Sequence, residues 1–169
     1  MTEQSPHALS DIEILDILQS MQNDELDAKA QEMIRNGGKA GRQEAHKLAL
    51  VELHKEFEDK FVEAVTLALN LNPAQAKKIK YKKDRIRILK AQGIDYLKID
   101  GAETAQVLAQ VAQAITREEA TVTHDLHNIF PFWKEGWPMV QFDNAYKILS
   151  EDIMIHYQEV LKALLTRVH

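Results

Sequence analysis

LVELHKEFEDKFVEAVTLALNL, residues 50–71, decides how the rest of the chain is read. Leu50, Leu53, Phe57, Phe61, Ala64, Ala68 and Leu71 recur at steps of three or four, the spacing that aligns side chains along one face of an α-helix. Charged residues fill most of the positions opposite, so the stretch reads as one long amphipathic helix with a single apolar stripe. A stripe of that length needs a cover, and the sequence on both sides offers helices to provide it.

Upstream, SDIE at 10–13 has the form of a capping box: Ser10 accepts the Glu13 amide while the Glu13 side chain reaches back. Ile14, Ile17, Leu18 and Met21 follow on one face. Asn23 and Asp24 interrupt the pattern, and Leu26, Ala30, Met33 and Ile34 resume it until Asn36-Gly37-Gly38 ends it. Downstream, Asn72-Pro73 closes the long helix and opens another, with Asn72 as cap and Pro73 in the first turn. Asp100 in DGAE caps a helix whose stripe is Leu108, Val111, Ile115, Val122, Leu126 and Ile129; Thr116 to Glu119 re-caps it midway and Pro131 ends it. A last helix carries Leu149, Ile153, Tyr157, Val160, Leu164 and Val168. The expectation is a single all-α domain over residues 1–169, a bundle of five or six helices with residues 1–9 as a flexible N-terminus. No internal repeat, low-complexity run or interdomain linker interrupts it.

At 169 residues the chain can bury a core without covalent staples. Cysteine is absent, which excludes disulfides and thiolate metal sites and fits a reducing cytoplasm. MTEQSPHALSD at the N-terminus reads without a secretory signal, and no apolar run approaches the roughly 20 residues that span a bilayer. The expected location is cytoplasmic, with no membrane contact. The formal charge is −5, but it is unevenly placed. Eight of the 21 basic residues and one of the 26 acidic ones fall in KKIKYKKDRIRILK, residues 77–90, so this block is +7 and the remainder −12.

Much enzymatic chemistry is excluded by pattern. There is no Walker loop, no Rossmann glycine fingerprint and no HExxH. None of the seven histidines has a glutamate three residues before it, as a ferritin-like di-metal bundle requires. No cofactor is expected. His54 and Glu58 in HKEFE stand four apart and offer at most the edge of a metal site. In THDLH, His124 and His127 fall one helical turn apart and are weak candidates for a shared ion, with Asp152 and His156 of the last helix as further ligands. In the simpler reading the two are solvated and His156 bonds to Asp152. Arg117 and His124 also resemble the Arg-x₄₋₆-His pair of HEPN-type helical ribonucleases, which implies an arginine and a histidine on one helix cleaving an RNA phosphodiester. That resemblance rests on two residues, and Glu118 beside the arginine would oppose the phosphate. NGGKAGR, residues 36–42, is a plain interhelical turn or a small anion cradle.

Two surfaces remain. Phe130, Phe132, Trp133 and Trp137 crowd one Pro/Gly loop, where they plug the core or, if exposed, form a contact hot spot. The basic block reads as a helix from Asn72 to Gly93, with a hairpin as the alternative. It presents Lys77, Lys78, Lys80, Lys82, Lys83, Arg85, Arg87 and Lys90. These cations face the bundle's own acids, an acidic protein partner, or nucleic-acid phosphates. The expected function is a non-enzymatic interaction or regulatory protein that docks an acidic partner through this block, with Trp133 and Trp137 as a second contact. Nucleic-acid binding through residues 77–90 is the alternative, and a metal-dependent or HEPN-like RNase-type enzyme comes third. The oligomeric state stays open.

Overall fold

Residues 50–71 do form the centre of the molecule. In the computed structural model, which describes residues 9–168, all but the last two belong to α3 (Arg42–Leu69), a helix of 28 residues and hence about 42 Å long. Leu50, Leu53, Phe57, Phe61 and Ala64 are completely enclosed along its length. Asn70 ends it in the left-handed conformation, its N–H returning to the Thr66 carbonyl. The segment set apart as a flexible N-terminus lies, but for Leu9, outside the described residues.

The other elements are laid around that stripe. α1 (Asp11–Met21) starts with the expected capping box: the Glu13 amide donates to Ser10 Oγ at 3.2 Å, and the Ser10 amide donates to Glu13 Oε1 at 3.0 Å. α2 (Ala28–Gly37) packs along α3, and the NGGKAGR segment is the turn between them. Arg42 at the end of that turn pairs with Asp143 at 3.1 Å. α4 (Pro73–Lys78) is capped by Asn72, as its Asn-Pro start requires. α5 (Lys82–Ala91), a 3₁₀ turn at Tyr96–Lys98 and α6 (Ala102–Arg117) then cross one flank of α3. α7 (Phe142–Val168) covers the remaining face and touches α1, α3 and α6. The described residues contain no strand, only the isolated bridge Thr121–Pro138. None of their helices is long and apolar enough to cross a membrane.

The described residues therefore form seven α-helices where five or six were expected, because the basic stretch is two helices. Tyr81 is extended (φ −94°, ψ 132°), and the Ile79 carbonyl is taken by Arg85 Nε at 2.9 Å. A continuous helix would stack five lysines from residues 77–83 within two turns, where like charges repel. The break turns Ile79, Arg85, Ile88 and Leu89 inward and leaves the lysines outside. The hairpin alternative is not formed.

A second correction concerns the helix expected to run to Pro131. α6 ends at Arg117, and Glu119 and Ala120 follow with φ of 52° and 56°. Thr121-Val122-Thr123 is a β-branched run that suits an extended chain better than a helix. Its backbone pairs across the loop instead: Val122 N–H donates to the Trp137 carbonyl at 2.9 Å, and Gly136 N–H donates to the Val122 carbonyl at 2.8 Å. Val122 and Leu126 still reach the core, by a route the helical period did not anticipate.

Candidate functional site

The α4–α5 corner carries the basic block. Lys77 and Lys78 end α4, Lys80 and Tyr81 form the turn, and Lys82 and Lys83 open α5. Lys83, Arg87 and Lys90 then continue along one side of α5 at helical spacing. All these cations are exposed. Lys80 lies 4.0 Å from Asp59, and Arg87 pairs within α5 to Asp84 at 2.8 Å. Lys77, Lys78, Lys82, Lys83 and Lys90 meet no carboxylate among the described residues, and the acids of α1 pair with none of the block.

Arg85 is not part of this surface. Its guanidinium is buried between α3 and α5, donating from Nη2 to Glu58 Oε1 at 2.6 Å and from Nη1 to Tyr96 Oη at 3.4 Å. It lies over the Phe61 ring, 4.0 Å from the centroid. The spacing that hides it is present in the sequence: Arg85 stands three and four residues before Ile88 and Leu89, on the apolar side of α5. Charge alone concealed that.

Arg85 begins a buried hydrogen-bond chain. His156 Nδ1 lies 2.7 Å from the Asp100 carbonyl, which can only accept, so Nδ1 carries the proton. His156 Nε2, 2.8 Å from Tyr96 Oη, must then accept from the phenol, and the phenol oxygen accepts from Arg85. Burial holds the His156 pKa below the ordinary imidazole value, the Asp100 carbonyl opposing and Arg85 reinforcing it. Burial likewise raises the Tyr96 phenol, against the pull of Arg85. His156 is thus a neutral core imidazole bonded to Tyr96 and Asp100, while Asp152, its expected partner, is exposed. Asp100 serves through its carbonyl; Gly101 takes the cap position of α6 in its place.

Beside this chain opens a cleft of about 490 Å³ between α3, α5 and α6. Glu58, Arg85 and Tyr96 wall its inner end, and His54 stands one turn before Glu58. Glu58, occupied by Arg85, is no metal partner for His54. Ala102, Ala105 and Ala109 form a low wall on α6, with Gln106, Gln110 and Gln113 beside them. No sequence signal marked this cleft, because it is made by what three alanines fail to fill.

The remaining candidates separate. Trp133 is fully buried, its indole N–H donating to the Val140 carbonyl at 2.8 Å, and Phe130 packs edge-on against it. Trp137, beyond them in the same loop, is 70% exposed. The loop is therefore a core plug carrying one surface tryptophan, and Trp133 drops out of any contact surface. His124 and His127 sit on and just after a 3₁₀ turn, His124–Leu126, outside α6. His124 Nδ1 faces Glu135 at 3.2 Å, and His127 Nδ1 accepts the Glu135 amide at 3.0 Å, so both fasten the loop. The described residues hold no group of three or more acids and histidines placed for a metal. Arg117 ends α6 and His124 lies beyond it, so the arrangement on one helix implied by the ribonuclease resemblance is not formed.

Comparison of the chain with family models, with curated proteins and with solved structures finds no match in any of the three.

Proposed function

We propose that this is a non-enzymatic interaction or regulatory protein of the cytoplasm, docking an acidic segment of a protein partner on the α4–α5 corner. The observation that carries the reading is five lysines within residues 77–83, four of them without an acidic partner among the described residues. Lys82 and Lys83 occupy the first turn of α5, where the helix dipole is already positive and cations are unfavourable. Such a placement costs the fold a little and adds to a field that an external anion would neutralise. The rest of the chain, at −12, opposes a long polyanion that would lie across it. A short acidic segment of a protein meets only the corner.

One observation favours nucleic acid as a second reading. Tyr81, amid the lysines, is 67% exposed and offers a ring on which an unpaired base can stack.

The test is Lys77, Lys78 and Lys83 changed together to Glu, all exposed and outside the Arg85 network. The variant should keep the wild-type melting temperature. In affinity capture from host extract, the wild type should retain an acidic protein with or without nuclease, and the variant should lose it. Equal recovery by both proteins overturns the proposal. Capture that disappears with nuclease, and a log–log salt slope of about −0.9 per phosphate contacted on duplex DNA, installs the nucleic-acid reading in its place.

A further inference from the structure

We infer that the cleft between α3, α5 and α6 is a binding site for a compact organic carboxylate, its anionic head toward His54, Lys55 and Lys82 and its apolar body against the alanine wall of α6. The site is separate from the lysine corner proposed for a protein partner; only Lys80 and Lys82 touch both.

Size comes first. About 490 Å³ lies within the roughly 300–1,000 Å³ of small-molecule pockets. The volume exists because Ala102, Ala105 and Ala109 line the cleft from α6; larger side chains at these positions would close it. The inner wall is rigid. Arg85 gives Nε to the Ile79 carbonyl, Nη1 to Tyr96 and Nη2 to Glu58, and Tyr96 is fixed by His156. A wall with its polar groups committed presents aromatic and aliphatic surface to a ligand at little ordering cost.

Charge selects the sign. Lys55, Lys80, Lys82 and Arg85 line the cleft against Glu58 and Asp59, and Arg85 consumes Glu58. Lys80 approaches Asp59 only at 4.0 Å, which leaves Lys55 and Lys82 uncompensated among the described residues. His54 adds a directed donor. Its Nδ1 is shut off from solvent with no hydrogen-bond partner, and a buried orphan N–H is costlier than an orphan lone pair. The proton of the neutral ring therefore sits on Nε2, the open edge. Burial lowers the His54 pKa, Glu58 opposing it and Arg85 and Lys80 adding to it, and neutral or protonated the ring donates from Nε2 to a bound carboxylate. A carboxylate satisfies this donor and the two lysines together. The apolar component is needed because Leu97, exposed at the rim, and the three alanines offer no hydrogen bond.

Amide NMR titration with 3-phenylpropionate, 3-phenylpropanol and inorganic phosphate tests each part. Phenylpropionate should saturably shift amides of residues 54–59 and 102–113, and should bind about tenfold more tightly than the alcohol, the worth of one charge-assisted hydrogen bond. Phosphate should shift none of α6. Ala109→Phe, which fills the cleft, should abolish the shifts while leaving the melting temperature within a few degrees. Lys82→Glu, at an exposed position, should weaken phenylpropionate and not the alcohol. Equal binding of acid and alcohol, shifts with phosphate alone, or no shifts at millimolar phenylpropionate would each overturn the assignment. Lys77, Lys78 and Lys83 do not line the cleft, so their triple variant should bind phenylpropionate normally whatever becomes of the protein partner.

Discussion

At the scale of single residues, the guanidinium of Arg85 has exchanged its water for the Ile79 carbonyl, the Glu58 carboxylate, the Tyr96 phenol and the face of Phe61. A buried cation persists only when its donors are answered in this way, because stranding either member of a buried pair leaves an uncompensated polar group. Glu58→Met and Arg85→Met should therefore each cost about 3–5 kcal/mol in urea denaturation. Glu58→Met with Arg85→Met should cost clearly less than their sum, since the second change removes the group that the first one strands. Strict additivity would show that the two side chains do not act as a pair. Glu52 Oε2 and Thr66 Oγ1 are also buried without partners, and nothing in the structure explains them.

At the scale of elements, the join between α6 and α7 depends on one glycine. Gly101 has φ +84°, and a Cβ there would lie 2.6 Å from His156 Cβ. Gly93, after α5, has φ +81° with open space around it. Gly93→Ala should thus cost about 1–2 kcal/mol, the left-handed backbone alone. Gly101→Ala should exceed it by about 1–3 kcal/mol, because α7 must also shift; thermal unfolding of the two variants measures the difference. Equal costs would mean that the helices do not meet as closely as the geometry requires. α1, α3 and α7 were legible because their apolar stripes are clear and local signals such as Ser10 with Glu13 and Asn72-Pro73 mark ends. The break between α4 and α5 was not, since Arg85 crosses to Glu58, 27 residues away. The loop after α6 was misread because Val122 and Leu126 are apolar at helical spacing yet reach the core from an extended run. The lysines of the corner could be read from sequence, whereas the cleft, the Tyr96–His156 bond and the opposite fates of Trp133 and Trp137 depend on tertiary neighbours.

For the whole molecule, burial of neutral His156 ties stability to pH. Its folded pKa lies below the ordinary value near 6.5, so the unfolded chain binds a proton that the native state refuses. The resulting stabilisation is complete above pH 6.5 and is lost as the pH falls through that value toward the folded pKa. His54 adds in the same direction. His156→Asn should be less stable at neutral pH but flatter between pH 6.5 and 5, by up to about 1.4 kcal/mol per pH unit for one proton removed from the linkage. Parallel stability curves for the two proteins would assign the acid sensitivity to other groups. The position of α7 has a different outcome, in time. The wall it provides for α1, α3 and α6 is the last of the described helices to be translated. While the ribosome is still adding residues before Phe142, α2 and α6 can pack on α3, but the sides of α1, α3 and α6 that α7 covers stay open. The contacts of α7 are thus the last that the described helices can make, and a ribosome stalled before residue 142 would release a fragment with the α7-facing sides of α1, α3 and α6 exposed, not a smaller bundle.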